Sequence, residues 1–323
     1  MTVKARAFAN IAFVKYWGKR DARLVLPHNG SLSVALDFLS TETSLDLLSR
    51  SADRDELTID GVAATERERA RTSAFLDAAF GNDRARACIV SQNSFPTAAG
   101  LASSASGFAA LALAAAEAYG VPASVDRSAL ARLGSGSAAR SIPGGWAEWR
   151  RGEQDDGGDS LAVQIAPPSH WDVRLIVALT MMGRKEISSR DAMARSVETS
   201  PYYDGWRQSS PRDLEGARSA VLARDLRALG EIAEHSCLKM HALANTARPP
   251  AIFFEPATLA AWRAIQGLRA QGTPVYATVD AGPHLVALCA AADAERVERQ
   301  LSATPGVVRT ICCAPAGAAE VLA

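Results

Sequence analysis

The chain has 323 residues, 48% of them hydrophobic, and its Lys plus Arg and Asp plus Glu counts are both 35. That length supports two domains with a substantial buried core, and zero formal charge without a basic run argues against nucleic acid as a partner. The five cysteines (Cys88, Cys237, Cys289, Cys312, Cys313) are odd in number and scattered, which fits reduced thiols in a cytoplasm.

The first residues, "MTVKARAFANIAF", lack the apolar core and cleavage site of a signal peptide, so no export signal is expected. Residues 31–48 alternate apolar and polar positions, and "DELTIDGVAA" predicts a hairpin turning near Asp60 and Gly61. Helical spacing covers residues 65–80, and "ARACIVSQN" predicts a strand. "SFPTAAGLASSASGFAALALAAA" then reads as a loop leading into a helix that runs through Ala118 and stops at the Gly120 and Pro122 signal. Its apolar content is mainly Ala, with four Gly and Ser positions at one end and Glu117 at the other, which argues against a membrane span.

A helix is predicted over 124–133, then a glycine- and serine-rich loop, "GSGSAARSIPGG", leading to an aromatic strand. "EQDDGGDS" predicts an exposed turn. From about residue 170 a second pattern begins: strand "DVRLIVALT", helices over roughly 190–243, a helix near 259–271, strands "PVYATVD" and "LVALCA", another helix, and a final strand "GVVRTICC". This order predicts an α+β second domain, so the expected division is 1–170 and 171–323.

Three patterns fail on context. "GSGSAA" fits the dinucleotide fingerprint by letter but follows a helix-like segment instead of a strand. His235, Cys237 and His241 diverge around a helix, so a structural role outweighs metal binding. Asn29 opens a formal glycosylation signal without meaning in a cytoplasmic protein.

Four segments carry chemistry. In "PTAAGLASSAS", Gly100, Ser103, Ser104 and Ser106 put small residues, amides and hydroxyls at a helix N-terminus, which suits an anion as well as it suits tight helix packing. In "KYWGK", Lys15 and Lys19 flank Tyr16 and Trp17, fit for an anionic ligand or for a solvated surface with anchored aromatics. In "RLGSGSAARS", Ser135, Ser137 and Arg140 could clamp a carboxylate or phosphate. In "VDAGPH", Asp280 ends a strand as a general base, a metal ligand or a turn cap.

Taken in this order and at these distances, the four segments resemble the diphosphomevalonate decarboxylase branch of the GHMP kinase superfamily, as do "SSRDAM", "VETS" and "MHA" with a following "PP". The resemblance runs from about Asn10 to His284; it departs at His284, Gly30 and "NTARPP". It implies an α+β, two-domain GHMP kinase fold. The N-terminal domain would be like domain 2 of ribosomal protein S5, with a left-handed crossover, and the C-terminal domain ferredoxin-like. It further implies ATP-dependent decarboxylation of mevalonate 5-diphosphate to isopentenyl diphosphate by a cytoplasmic homodimer, with ATP and Mg²⁺. A mevalonate 3-kinase, a phosphomevalonate decarboxylase and a non-catalytic sensor are the alternatives on this scaffold. By motif match, Pro96, Ala99, Gly100, Leu101, Ala102, Ser103, Ser104 and Ser106 would hold ATP phosphates, Ser104 also contacting magnesium. Tyr16, Lys19, Ser189 and Arg190 would hold the substrate's phosphate end, and Ser135, Ser137 and Arg140 its carboxylate and tertiary hydroxyl. Asp280 and Lys15 would perform the chemistry, with Arg140 orienting the carboxylate from a polar, partly solvated loop.

Overall fold

The computed structural model of the chain describes residues 2–95, 103–180 and 187–322, without the Ser103 side chain. The first half runs β1 (Val3–Val14), β2 (Lys19–Asp21), β3 (Leu26–Pro27), β4 (Ser31–Leu47), β5 (Glu56–Ile59), β6 (Val62–Ala63), α1 (Glu66–Phe80), β7 (Ala87–Asn93), α2 (Ser103–Ala118), α3 (Arg127–Gly134), α4 (Ala138–Ser141), β8 (Trp146–Trp149) and β9 (Ala162–Ala166). The second half runs β10 (Val173–Leu179), α5 (Ser189–Thr199), α6 (Tyr203–Ala223), α7 (Leu226–Thr246), α8 (Pro256–Ala270), β11 (Val275–Val279), β12 (Leu285–Ala290), α9 (Ala294–Ser302), β13 (Arg309–Cys313) and β14 (Glu320–Leu322).

The long strand β4 organises the first sheet. It pairs with β1 on one edge, and on the other with β8 through Ser31, Leu32, Ser33 and Val34 and with β7 through residues 41–47. The sheet order is β14-β1-β4-β7-β5-β6, with β8 and β9 branching from β4. The predicted hairpin forms: Asp60 and Gly61 have φ 51 and 78, the double left-handed conformation that suits a two-residue turn between twisted strands. β5 and β7 run parallel, joined through α1, whose first turn is closed by a Thr65 and Glu68 capping box. α2 is buried on nearly every side against β1, β4 and α3, and its alanines permit that close approach. No helix among the described residues is long and apolar enough to cross a membrane.

The second sheet has the order β11-β12-β10-β13 with antiparallel neighbours throughout. β12 and β13 flank β10 in a common direction and are joined by α9, the split βαβ of ferredoxin-like folds. Alternation along β10 decides which core each residue enters. Leu175, Val177 and Leu179 join Phe13, Val34 and Trp146 in a core shared with the first sheet, and Ile176 and Ala178 pack with Ile265 and Val297 beneath α8 and α9. The two sheets are thus welded through one hydrophobic layer.

Two expectations need correction. The glycine- and serine-rich stretch is not wholly a loop, because residues 138–141 form α4, with Arg140 on it buried to 3% exposure. β13 is also not the final strand: the chain continues to β14, which pairs with β1 in the first sheet, and on the way Pro315 bridges Leu36.

Candidate active site

The site is assembled from the end of β1, the turn between α3 and α4, the first turn of α5 and the end of β11. Past Val14 the chain turns sharply. Trp17 is buried with its ring edge-on to Phe253, and Gly18 at φ +101 passes so near Tyr203 that a Cβ there would lie 1.8 Å from its hydroxyl. This turn sends Lys15 inward to the second domain and Tyr16 and Lys19 to the cleft, so the two lysines serve separate places.

Lys15 is 2% exposed, and its Nζ donates to Asp280 Oδ1 at 2.5 Å and to the Ala12 carbonyl at 2.7 Å. The Asp280 side chain remains 39% exposed and faces the cleft. A carboxylate placed between a buried ammonium and open space can be the partner of an incoming hydroxyl.

Arg140 stands opposite. Its Nη1 donates to Ser31 Oγ at 2.7 Å, and its Nε and Nη2 share Asn10 Oδ1 at 3.3 and 3.2 Å. Asn10 is itself fixed by donating to Ser141 Oγ and the Ser137 carbonyl. Burial pushes the Arg140 guanidinium down to about 10, against the opposing pull of Asp280 and Tyr16. The expected partly solvated clamp is therefore corrected to a buried cation held by neutral groups, because α4 sits directly against β1 and β4. With three of its five N–H groups engaged, one remains on each terminal nitrogen for a ligand.

Ser135 ends α3 and Ser137 precedes α4, with their Oγ atoms 3.2 Å apart. Gly136 between them touches two aromatic rings: a Cβ would lie 2.8 Å from both Tyr16 and Trp149. Glycine here lets the two serines flank Tyr16, whose ring packs edge-on to Trp149 at 4.8 Å. The Tyr16 hydroxyl is buried without a hydrogen-bond partner, and burial raises its pKa despite the opposing charges of Arg140 and Arg190. An orphaned donor between two cations is suited to an anionic oxygen.

The other end of the cleft is cationic. Burial first, then the charges of Arg190 and Arg71, push Lys19 down to about 8. Arg71, on α1, lies over the Phe108 ring at 4.5 Å; local desolvation, then Arg190 and Arg67, push it down to about 10, although the residue as a whole stays exposed. Arg190 follows Ser189 in the first turn of α5, whose N-cap Ser188 accepts from the Asp191 amide. Lys19, Arg71 and Arg190 thus crowd one another, an arrangement relieved by a polyanion. Arg71, Asn10 and Ser31 were not foreseen from sequence. The one signal for Asn10 was a polar side chain inside the apolar run "FANIAF".

Pro96, Ala99, Gly100, Leu101 and Ala102 lie outside the described residues, as does the Ser103 side chain. Ser104 lines a cleft of about 720 Å³ beside the start of α2, together with Thr41, Glu68, Arg71, Asn93 and Phe108. Ser106, two residues further on and so on another face of the helix, is fully buried with its Oγ 2.7 Å from Thr41 Oγ1, and joins the helix to β4. A second, small recess adjoins Asp280 and is lined by Asn10, His284 and apolar residues of both sheets. His284 Nδ1 accepts from the Thr180 amide at 3.2 Å. Among the described residues no three His, Cys, Asp or Glu side chains cluster as a metal site, and all five cysteines are free thiols.

Comparison with known proteins identifies the family. A family profile described as the diphosphomevalonate decarboxylase-like N-terminal domain matches residues 7–162, and one described as the mevalonate 5-diphosphate decarboxylase C-terminal domain matches residues 175–311. The diphosphomevalonate decarboxylase of Aspergillus fumigatus is 39% identical over 320 residues, covering 92% of this chain and 79% of the relative. The chain belongs to the diphosphomevalonate decarboxylase family. The human member is 37% identical, with 88% of this chain and 76% of the relative covered. Among solved members, the Staphylococcus aureus enzyme superposes with a TM-score of 0.92 at 33% identity, covering 100% of this chain and 98% of that one. A protein designated MDDEF, solved in complex with MVAPP, AMPPCP and magnesium, superposes with a TM-score of 0.93 at 37% identity, covering 100% and 99%. The fold is that of the GHMP kinases, as the sequence resemblance implied.

Proposed function

We propose that this cleft catalyses the ATP-dependent decarboxylation of mevalonate 5-diphosphate to isopentenyl diphosphate, releasing ADP, phosphate and CO2. The observation that carries the reading is the polarity of the cleft: a lysine-held carboxylate and a buried arginine at one end, three mutually repelling cations at the other. That spacing of charges fits a substrate with a hydroxyl and carboxylate at one end and a diphosphate at the other.

The donor set also fits a nucleotide and magnesium. The cleft beside α2 offers a helix N-terminus and Ser104 to phosphates, with Phe108 and Leu57 as apolar walls for a base. Without an acidic cluster among the described residues, a magnesium ion there would take most of its oxygens from the phosphates, with Ser104 as a protein contact. When bound, ATP with magnesium supplies the phosphoryl group and neutralises its charge.

The remaining steps fall to this chain. Lys19, Arg71 and Arg190, with the hydroxyls of Tyr16 and Ser189, anchor the diphosphate and fix the register of the substrate along the cleft. Ser135 and Ser137 orient the carboxylate end. Asp280 accepts the proton of the C3 hydroxyl as the new O–P bond forms, and Lys15 keeps the carboxylate aimed. The C3–O bond then breaks with loss of phosphate, the electrons of the C1–C2 bond close the alkene, and CO2 departs. Arg140 aligns C1 for that step with its two remaining N–H groups. Its other three are held by Asn10 and Ser31, which keeps it from following the carboxylate and so from opposing release.

We further propose that the working protein is a cytoplasmic homodimer whose domains divide near residue 170; free thiols support the first point, and the separate second sheet that begins with β10 supports the last, although β14 returns to the first sheet. Light scattering of the purified protein tests the dimer. For the activity, purified protein with ATP and mevalonate, its 5-phosphate or its 5-diphosphate is assayed for ADP and CO2 separately. Both products should form together, and fastest from the diphosphate. ADP without CO2, or a preference for mevalonate, would replace this reading with a 3-kinase.

A further inference from the structure

Helix α7 runs along the outer edge of β11 and supplies side chains where another strand would supply backbone. Glu234 Oε1 accepts from the Ala277 amide at 3.0 Å. Two residues further along the strand, Cys237 Sγ accepts from the Val279 amide at 3.2 Å and donates to the Val279 carbonyl at 3.3 Å. His241, one turn beyond Cys237, brings Nε2 to 3.3 Å from the same carbonyl oxygen. Val279 is the last residue of β11, and Asp280 follows it directly. The neighbouring Ser236 Oγ accepts from the Lys15 backbone amide at 3.0 Å, so α7 touches the backbone on both sides of the Lys15–Asp280 contact.

These contacts give two of the three residues His235, Cys237 and His241 a common task. Cys237 and His241 are spaced i, i+4 and face inward, with exposures of 0% and 3%, whereas His235 is exposed. Burial pushes the Cys237 thiol up to about 11, which keeps its proton in place for donation. Burial, and then the Lys15 ammonium, push His241 down to about 3, so the ring stays neutral and brings no second cation to Lys15. A carbonyl and an amide at the edge of a sheet need partners, but an apolar helix face would leave them bare beside the reacting carboxylate.

We propose that Cys237 and His241 are positioning residues for phosphoryl transfer: by holding both polar groups of Val279 they fix the direction in which Asp280 leaves β11, and thereby keep its carboxylate between Lys15 and the substrate hydroxyl. The proposal rests on the decarboxylase reading of the cleft. Cys237→Ala removes both contacts of the thiol and Cys237→Ser retains a donor and an acceptor; His241→Leu and His241→Gln form the matching pair.

The Ala and Leu variants should lower kcat about tenfold with KM for ATP and mevalonate 5-diphosphate within about twofold, and the Ser and Gln variants should recover to within about threefold of wild type. Crystal structures of the Ala and Leu variants should show the Asp280 carboxylate displaced from Lys15 Nζ. Wild-type kcat in the Ala and Leu variants, a loss carried by KM, or equal losses in the Ser and Ala variants overturns the proposal. Should Cys237→Ala not fold, the His241 pair decides the same question. Should the wild-type protein turn over no mevalonate 5-diphosphate, the functional reading fails, and the crystal structures still decide the positioning claim: an undisturbed Lys15–Asp280 contact sinks it.

Discussion

Replacing Asp280 by Asn separates chemistry from architecture, and the structure sets both magnitudes. Asn keeps the shape and one acceptor but cannot take the hydroxyl proton, so turnover should fall about 10²-fold or more, the usual contribution of a general base. The burial of Lys15 means that stability should fall as well. Its Nζ would keep the Ala12 carbonyl but lose the only carboxylate it meets among the described residues. Breaking a fully buried pair costs about 3–5 kcal/mol and an exposed one under about 1. With Lys15 at 2% and Asp280 at 39% exposure, an intermediate cost of about 2 kcal/mol follows. At roughly 2–4 °C per kcal/mol for chains of ~150–250 residues, and less for longer ones, Tm should fall by about 4 °C. Calorimetry with parallel ADP and CO2 assays reads both effects. Adding Lys15→Met should restore Tm without restoring turnover. Turnover within tenfold of wild type, or a loss of activity explained wholly by unfolding, would leave Asp280 a turn cap and refute the mechanism.

Three further outcomes are expected. Arg140→Gln should uncouple the products, with ADP forming and a 3-phosphorylated intermediate accumulating while CO2 lags about tenfold or more, as measured by phosphorus NMR of the reaction mixture. Lys19 in the free protein is pushed down to about 8, so its charge is present below that pH and lost above it. Accordingly kcat/KM for the diphosphate substrate should fall as pH rises through about 8, and Lys19→Arg should carry the activity to higher pH. Ser104→Ala should raise KM for ATP about tenfold, the scale of a charge-assisted hydrogen bond, whereas Ser106→Ala, which breaks the contact with Thr41, should cost about 1 kcal/mol of stability in a urea titration and leave KM for ATP nearly unchanged.

Much of the site was legible because its residues sit in short runs whose members act together. "KYWGK" delivers Lys15, Tyr16 and Lys19 from one turn, and "GSGSAARS" delivers two serines and an arginine around Gly136. What the runs hid was environment. Glycine and serine content reads as solvated loop, yet Arg140 is buried by Asn10 and Ser31, which come from strands more than a hundred residues earlier. Arg71 is one of three arginines in "ERERARTSAF", and only the packing of α1 shows that it lies over Phe108 at the cleft whereas Arg69 pairs with Glu66. For Cys237 and His241 the sequence favours a structural role over metal binding without saying which, because no local pattern announces that a helix will lie along the edge of a strand. β14 was missed for a simpler reason: three residues after "CAPAGAA" carry too little periodicity to separate a strand from a tail.

The pairing of β14 with β1 governs the order in which the protein can be finished. Lys4 lies opposite Leu322, so β1 waits for β14, made far later, before its outer edge at residues 4–6 is covered. Until then β1 presents a row of bare amides and carbonyls, a template on which another nascent chain could pair. β1 and β14 are neighbours in space, so joining them through a short linker and opening the chain in the exposed segment near Asp155 should yield a circular permutant that acquires β1 and β14 together. In that rearranged chain the seam would close early, during synthesis.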